Sequence, residues 1–168
     1  LIGEQKASVI VSGGVGCGVV GEDVAKLATR ALRESHGSPK ELVRLAQLRL
    51  QPAMTPSIVV AEVNARMGII AIAGVGNVAA RLITPSGDDR IYAATPRRST
   101  NETEYAETRH SWPEHSIVVL HSPGLRDDWT LSDAPGILHC DPAVIAGWLV
   151  RDQAIDNNDV TVVVLKRG

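Results

Sequence analysis

The sequence contains no phenylalanine, and aromatic residues make up only 3% of its 168 positions. A core without large rings must be filled by Val, Ile, Leu and Ala. There is no basic excess either: 17 Lys and Arg stand against 19 Asp and Glu, a formal net charge of −2. Nucleic-acid-binding domains rely on concentrated positive charge, so no nucleic-acid partner is expected. No apolar run reaches the ~18 residues of a membrane-spanning helix. The first residues show no basic stretch leading into an apolar one, so no signal peptide is read. Cys17 and Cys140 are too few for a disulfide framework, which points to a reducing cytoplasm.

What is present is ordinary for a folded chain: 44% apolar and 21% charged residues. A single domain of this length buries roughly 70% of its unfolded surface, enough for a real core. No repeat, low-complexity tract or linker divides it, and we read one α+β domain over 1–168. The chain opens at Leu1, close to its first strand. We therefore expect an N-terminal strand or an upstream domain to be missing from it.

Ala7 to Val11 is a compact β-branched strand, followed by the glycine-rich turn Gly13-Gly14-Val15-Gly16-Cys17-Gly18. Val20, Val24, Leu27, Ala28, Ala31 and Leu32 then recur at helical spacing up to Ser35, and His36-Gly37 closes that helix. Ser38 caps the next helix with Pro39 at its first position, and the helix runs to about Leu50. Ser57 to Val63, Gly68 to Ala73 and Val78 to Thr84 are apolar runs split by short turns, which predicts an antiparallel meander. Ile91 to Ala94 extends it. Residues 96–104 read as a polar loop, and Tyr105 to Arg109 as a strand. Ser116 to His121 is a strong strand, and Leu131 to Leu138 reads as short helices. Asp141-Pro142 starts a helix to about Arg151, and Val160 to Lys166 is the last strand. Helices Val20–Ser35 and Pro39–Leu50 would cover one sheet and Asp141–Arg151 the other. The sandwich interior would include Val9, Val11, Ile58, Val60, Ile70, Ile72, Val119 and Val163.

Gly16-Cys17-Gly18-Val19-Val20-Gly21 fits the dinucleotide fingerprint between strand and helix. The fingerprint also needs a βαβ unit, whereas a second helix follows here. A nucleotide- or anion-binding module built on the Gly13–Gly21 loop stays open on the helix N-terminus it would use. Cys17 near that terminus would gain thiolate character, but Glu22 and Asp23 would repel a phosphate, and a small residue in a tight turn is the plainer reading. Cys140 and the histidines His36, His110, His115, His121 and His139 form no metal-ligand spacing. His121, at a strand end, reads as a hydrogen-bonded structural residue. Trp148 falls on the apolar face of its helix and is read as core, and Trp129 is read as either core or partner surface. Arg97-Arg98 reads as a solvated loop.

Four turns gain meaning together: Ser12 to Gly18, Gly74-Val75-Gly76-Asn77, His121-Ser122-Pro123-Gly124-Leu125 and Asn157 to Thr161. In order and spacing they resemble the signature turns of the type 2C metal-dependent protein phosphatases, specifically the SpoIIE-like and RsbX-like bacterial branch. The helix pair after the first motif, Ser116 to Trp129, and Asp141 to Asp152 carry the resemblance over nearly the whole chain. It implies an α-β-β-α sandwich of two mainly antiparallel sheets flanked by helices. It also implies two Mg²⁺ or Mn²⁺ ions held by aspartates, which activate a bridging water and clamp the phosphate.

The departures carry the functional reading. Where the resemblance places metal-binding aspartates, this chain has Gly13, Pro123 and Asn158; Gly14 and Asp159 are kept. Hard divalent cations need oxygen ligands, chiefly carboxylates. Glycine and proline side chains offer no oxygen, and asparagine offers a neutral one. The reading is a catalytically impaired phosphatase domain, with no catalytic residues and no metal expected. It would bind a phosphorylatable regulatory protein, such as a STAS-type anti-sigma antagonist, or an anti-sigma kinase. The alternative is an active or weakly active Mn- or Mg-dependent phosphoserine/phosphothreonine phosphatase whose displaced metal site uses Asp159 with Asp127 and Asp128.

Overall fold

The computed structural model describes residues 6–14, 19–35, 37–49, 56–87, 89–93, 97–99, 102–104 and 106–168. Its strands in chain order are β1 (Lys6–Gly14), β2 (Pro56–Asn64), β3 (Ile69–Val75), β4 (Ala79–Ile83) and β5 (Asp89–Ala93). They continue with β6 (Arg97–Ser99), β7 (Glu102–Glu104), β8 (Glu107–Ser111), β9 (Ile117–His121) and β10 (Val162–Lys166). The helices are α1 (Val19–Glu34), α2 (Pro39–Leu48) and α3 (Pro142–Gln153).

Two antiparallel four-stranded sheets form, ordered β1-β2-β3-β8 and β10-β9-β4-β5. They stack face to face. Val11, Val59, Ala61, Ile70 and Ile72 of the first sheet meet Ala80, Leu82, Val118 and Leu120 of the second in an apolar layer, with Trp112 at its margin. Strand alternation sends the next residues outward. Ile58, Val60, Ala73 and Val75 pack against Ala28, Leu32, Leu42, Val43 and Ala46 of α1 and α2. Ile117 and Val119 pack against Ile145 and Leu149 of α3, with Leu125 and Trp129. The order of layers is α-β-β-α, as expected.

Two helices start where the sequence signals them. The Ser38 hydroxyl accepts from the Glu41 N–H at 3.4 Å, the Glu41 carboxylate accepts from the Ser38 N–H at 2.8 Å, and Pro39 opens α2. Asp141 accepts the Ala143 N–H at 2.8 Å ahead of Pro142, opening α3.

Four readings need correction. The runs 57–63, 68–73 and 78–84 are not one meander: β2 and β3 pair as a hairpin, but β4 crosses to the second sheet and lies between β5 and β9. Ile58, Val60 and Val119 are fully buried but lie under the helices, not between the sheets. The segment 96–104 contains a short antiparallel pair, β6 with β7, which places Arg97 opposite Glu104. Trp148 is only partly buried, at the edge of the α3 layer. Among the described residues, no helix is long and apolar enough to cross a membrane.

Candidate functional site

One end of the sandwich collects the strand ends that bear the motif turns. β1 arrives with Gly13 and Gly14, which pair with Ser57 and Pro56 at the start of β2. The Ser57 hydroxyl accepts the Asn77 N–H at 3.0 Å, which fastens the turn after β3 to the same end. Gly76 in that turn has φ 81°, a left-handed conformation that favours glycine. β9 ends there with His121, and β10 begins there, Val162 pairing with His121.

Beyond the strands the second pair of turns is stitched together. The Ser122 N–H donates to the Thr161 carbonyl at 3.0 Å, and the Ser122 hydroxyl accepts the Thr161 N–H at 2.9 Å. The Ile155 N–H donates to the Gly124 carbonyl at 2.8 Å, and the Arg126 N–H to the Gln153 carbonyl at 3.0 Å. Gly124 lies so close to the neighbouring backbone that a Cβ there would sit 2.2 Å from the Asp159 carbonyl oxygen. Only glycine fits.

Gly13 and Pro123 also meet. A Cβ on residue 13 would lie 3.3 Å from Pro123 Cδ and 3.8 Å from Ser122 Cβ. The structure therefore brings together Gly13, Pro123, Gly124 and the backbone of Asp159, which are far apart in sequence. Asn157 takes φ 61°, a left-handed turn that asparagine tolerates, and the Asn158 N–H donates to the Ile155 carbonyl at 3.2 Å. Asn158, Asp159, Asp127 and Asp128 are all exposed. Among the described residues, no three His, Cys, Asp or Glu side chains gather as a group that could hold a metal ion. Cys17 and Val15 to Gly18 of the glycine loop, and His36, lie outside the described residues.

Under the second pair of turns lies a buried polar cluster that motif spacing does not announce. Arg81, on the outward side of β4, is 5% exposed. It donates to the Trp129 carbonyl, and its Cζ lies 3.7 Å from the centre of the Trp129 ring, a cation–π contact. Burial pulls the Arg81 pKa down, and the charge of Asp127 opposes that pull. The one signal in the sequence was a lone arginine inside the apolar run 78–84. His121 is buried; its Nδ1 lies 3.0 Å from the Ser122 carbonyl, which accepts and so fixes the proton on that nitrogen. Its Nε2 has no hydrogen-bond partner among the described residues and lies 4.0 Å from the Asp127 carboxylate. Burial pushes the His121 pKa down most; the bond to Ser122 and the charge of Asp127 push it up, and Arg81 lowers it further. Trp129 is buried, edge-on to His121 with ring centres 6.4 Å apart, so it belongs to the core.

No protein-family model matches the chain, and no curated protein matches it in sequence. Solved structures do match in fold. A structure from the bacterial stressosome, described as a modular system adapted to control secondary messenger signalling, superimposes with a TM-score of 0.83 at 18% identity, covering 98% of this chain and 86% of that one. RsbX in complex with magnesium gives 0.79 at 15% identity, covering 98% and 82%. The serine/threonine phosphatase PstP of Mycobacterium tuberculosis gives 0.65 at 15% identity, covering 100% and 91%.

Proposed function

From the type 2C phosphatase fold of this chain, we propose that it is a catalytically impaired SpoIIE-like domain that binds a phosphorylatable regulatory protein without hydrolysing it. The observation that carries this reading is the placing of Gly13 beside Pro123, where a Cβ on residue 13 would lie 3.3 Å from Pro123 Cδ. The resemblance assigns metal-holding carboxylates to both positions. A glycine and a proline stand there instead, side by side, and Asn158 replaces a third carboxylate. Two dications held side by side repel each other unless anionic oxygens compensate. The residues present do not fit such a pair.

What remains is a structured end face. The turns around Gly13, Asn77, Ser122 and Thr161 are fixed by hydrogen bonds and close backbone approach, with exposed Asp127, Asp128, Asn158 and Asp159 around them. A surface held this way can recognise a protein with little ordering cost. Acting by occupancy, it would compete with a kinase or an active phosphatase for the same regulator. The likeness to a stressosome structure and to RsbX supports a place in stress or sigma-factor signalling, with a STAS-type protein or an anti-sigma kinase as partner. The composition supports a cytoplasmic setting.

The test is direct. The chain is mixed with phosphorylated and unphosphorylated STAS-type protein in Mn²⁺, and complex formation and phosphate release are both measured. A complex without phosphate release is expected. Manganese-dependent release abolished by Asp159→Ala would establish the active-phosphatase alternative instead.

A further inference from the structure

We propose that the acidic end face around Asp127 and His121 receives a basic segment of the regulator, and takes the regulator in its unphosphorylated form. This deepens the reading of a non-hydrolysing binder and rests on it.

Charge on this end is one-sided. The segments 122–129 and 153–161 hold Asp127, Asp128, Asp156 and Asp159 against one base, Arg126. All of these side chains are exposed. That is a net charge of −3, against −2 for the whole chain, so the rest of the sequence does not share the excess. Asp152, next to them, is already bound by Arg151 and adds nothing. Among the described residues Asp128, Asp156 and Asp159 enter no ion pair. The turns that the first sheet brings to this end, Ser12 to Gly14 and Gly74 to Val78, carry no charge that could balance them.

His121 is the second observation. It is 1% exposed, and its Nδ1 proton is committed to the Ser122 carbonyl, so Nε2 presents a lone pair. No donor among the described residues meets that lone pair. It lies 4.0 Å from the carboxylate of Asp127, whose side chain is 80% exposed. Two acceptors therefore face each other with no proton between them. The charge of Arg81 reaches the same carboxylate, but that guanidinium is held by the carbonyl and ring of Trp129. A cationic side chain arriving from solvent at Asp127 is attracted by both acceptors, and a neutral or acidic group is not.

The same charges read the state of the regulator. A phosphoserine brings roughly two negative charges at neutral pH. On this face it meets exposed aspartates, while the side chains of Gly13 and Pro123 offer neither a cation nor an oxygen to hold one. Arg126 alone does not offset the carboxylates around it. An unmodified serine in a basic segment meets no such repulsion. Phosphorylation then acts as the release signal, and a regulator held here is shielded from its kinase.

Fluorescence anisotropy of the full chain with a labelled peptide, one serine flanked on both sides by arginine pairs, tests the face. The unmodified peptide should bind about tenfold tighter, or more, than the same peptide phosphorylated, and its affinity should fall as salt rises. Asp127→Asn combined with Asp128→Asn should weaken the unmodified peptide about tenfold and shrink the preference, with an unchanged circular dichroism spectrum. Glu114→Gln, in the turn before β9 and so at the opposite end from His121, should change neither. A phosphorylated peptide that binds as tightly as the unmodified one overturns this inference and leaves the non-hydrolysing reading intact. So does a double variant that keeps full affinity. Phosphate release from the phosphorylated STAS-type protein in Mn²⁺ overturns both.

Discussion

Gly13 faces the ring of Pro123 so closely that a Cβ on residue 13 would lie 3.3 Å from Pro123 Cδ. The two substitutions therefore belong together. An aspartate restored at 13 alone would press on the ring and force a shift, costing about 1–3 kcal/mol as overpacked sites do. It would also lack its neighbouring carboxylates. We expect Gly13→Asp to lower the denaturation midpoint and to bind no Mn²⁺ by calorimetry. The triple variant Gly13→Asp, Pro123→Asp, Asn158→Asp should bind Mn²⁺ measurably. A wild-type chain that binds two Mn²⁺ ions as tightly as the triple variant would contradict the reading of the site.

Gly124 supports the same end of the molecule through backbone rather than side chain. A Cβ there would lie 2.2 Å from the Asp159 carbonyl oxygen and 3.1 Å from Val160 Cα. Backbone cannot yield as a flexible side chain can. Gly124→Ala should therefore cost about 3 kcal/mol or more in urea denaturation, at the severe end for overpacking. If the variant still folds, partner binding should fall with it, because the turns 122–125 and 155–161 are bonded to each other.

Arg81 holds Trp129 from two directions, donating to its carbonyl and lying over its ring. Truncation leaves that buried carbonyl short of a donor and opens space beneath the ring. Arg81→Ala should cost about 3 kcal/mol, combining a lost buried hydrogen bond with lost packing. Trp129 should report the change as a shift in tryptophan emission, provided Trp112 and Trp148 are first replaced by Phe. A variant with unchanged stability and unchanged emission would count against this role.

Much of this architecture was legible where local chemistry decides it. The Ser38 capping box and the Asp141-Pro142 start mark α2 and α3, and β-branched runs mark β1, β2, β9 and β10. That Gly13, Pro123 and Asp159 would lie at one end came only from the resemblance of their turns to a known family, not from any local signal. What failed is long-range. Nothing near residues 74–78 says that β4 leaves the first sheet to lie beside β9, because that pairing is settled by a strand far along the chain. In β9 every residue is apolar up to His121, so alternation gives no parity and Val119 cannot be told from Val118. The β6–β7 pair is polar throughout and shows no apolar period. The Arg81–Trp129 cluster rests on a single charge in an apolar run, visible only once the loop 125–131 folds over β4.

His121 gives the second pair of turns an acid sensitivity whose direction is fixed by its surroundings. Burial lowers its pKa in the folded chain below the roughly 6.5 of a free imidazole. The unfolded chain then binds the proton more readily than the folded one. Stability from the neutral ring is complete above about pH 6.5 and is lost as pH falls from there through the lower folded-state pKa. Asp127, 4.0 Å from Nε2, softens this loss, and Arg81 on the other side adds to it. Urea midpoints of the wild type should therefore drop as pH falls below about 6.5 more steeply than those of His121→Asn, whose amide nitrogen sits where Nδ1 does and can donate to the Ser122 carbonyl without titrating. Parallel slopes for the two chains would show that the ring is not the titrating group.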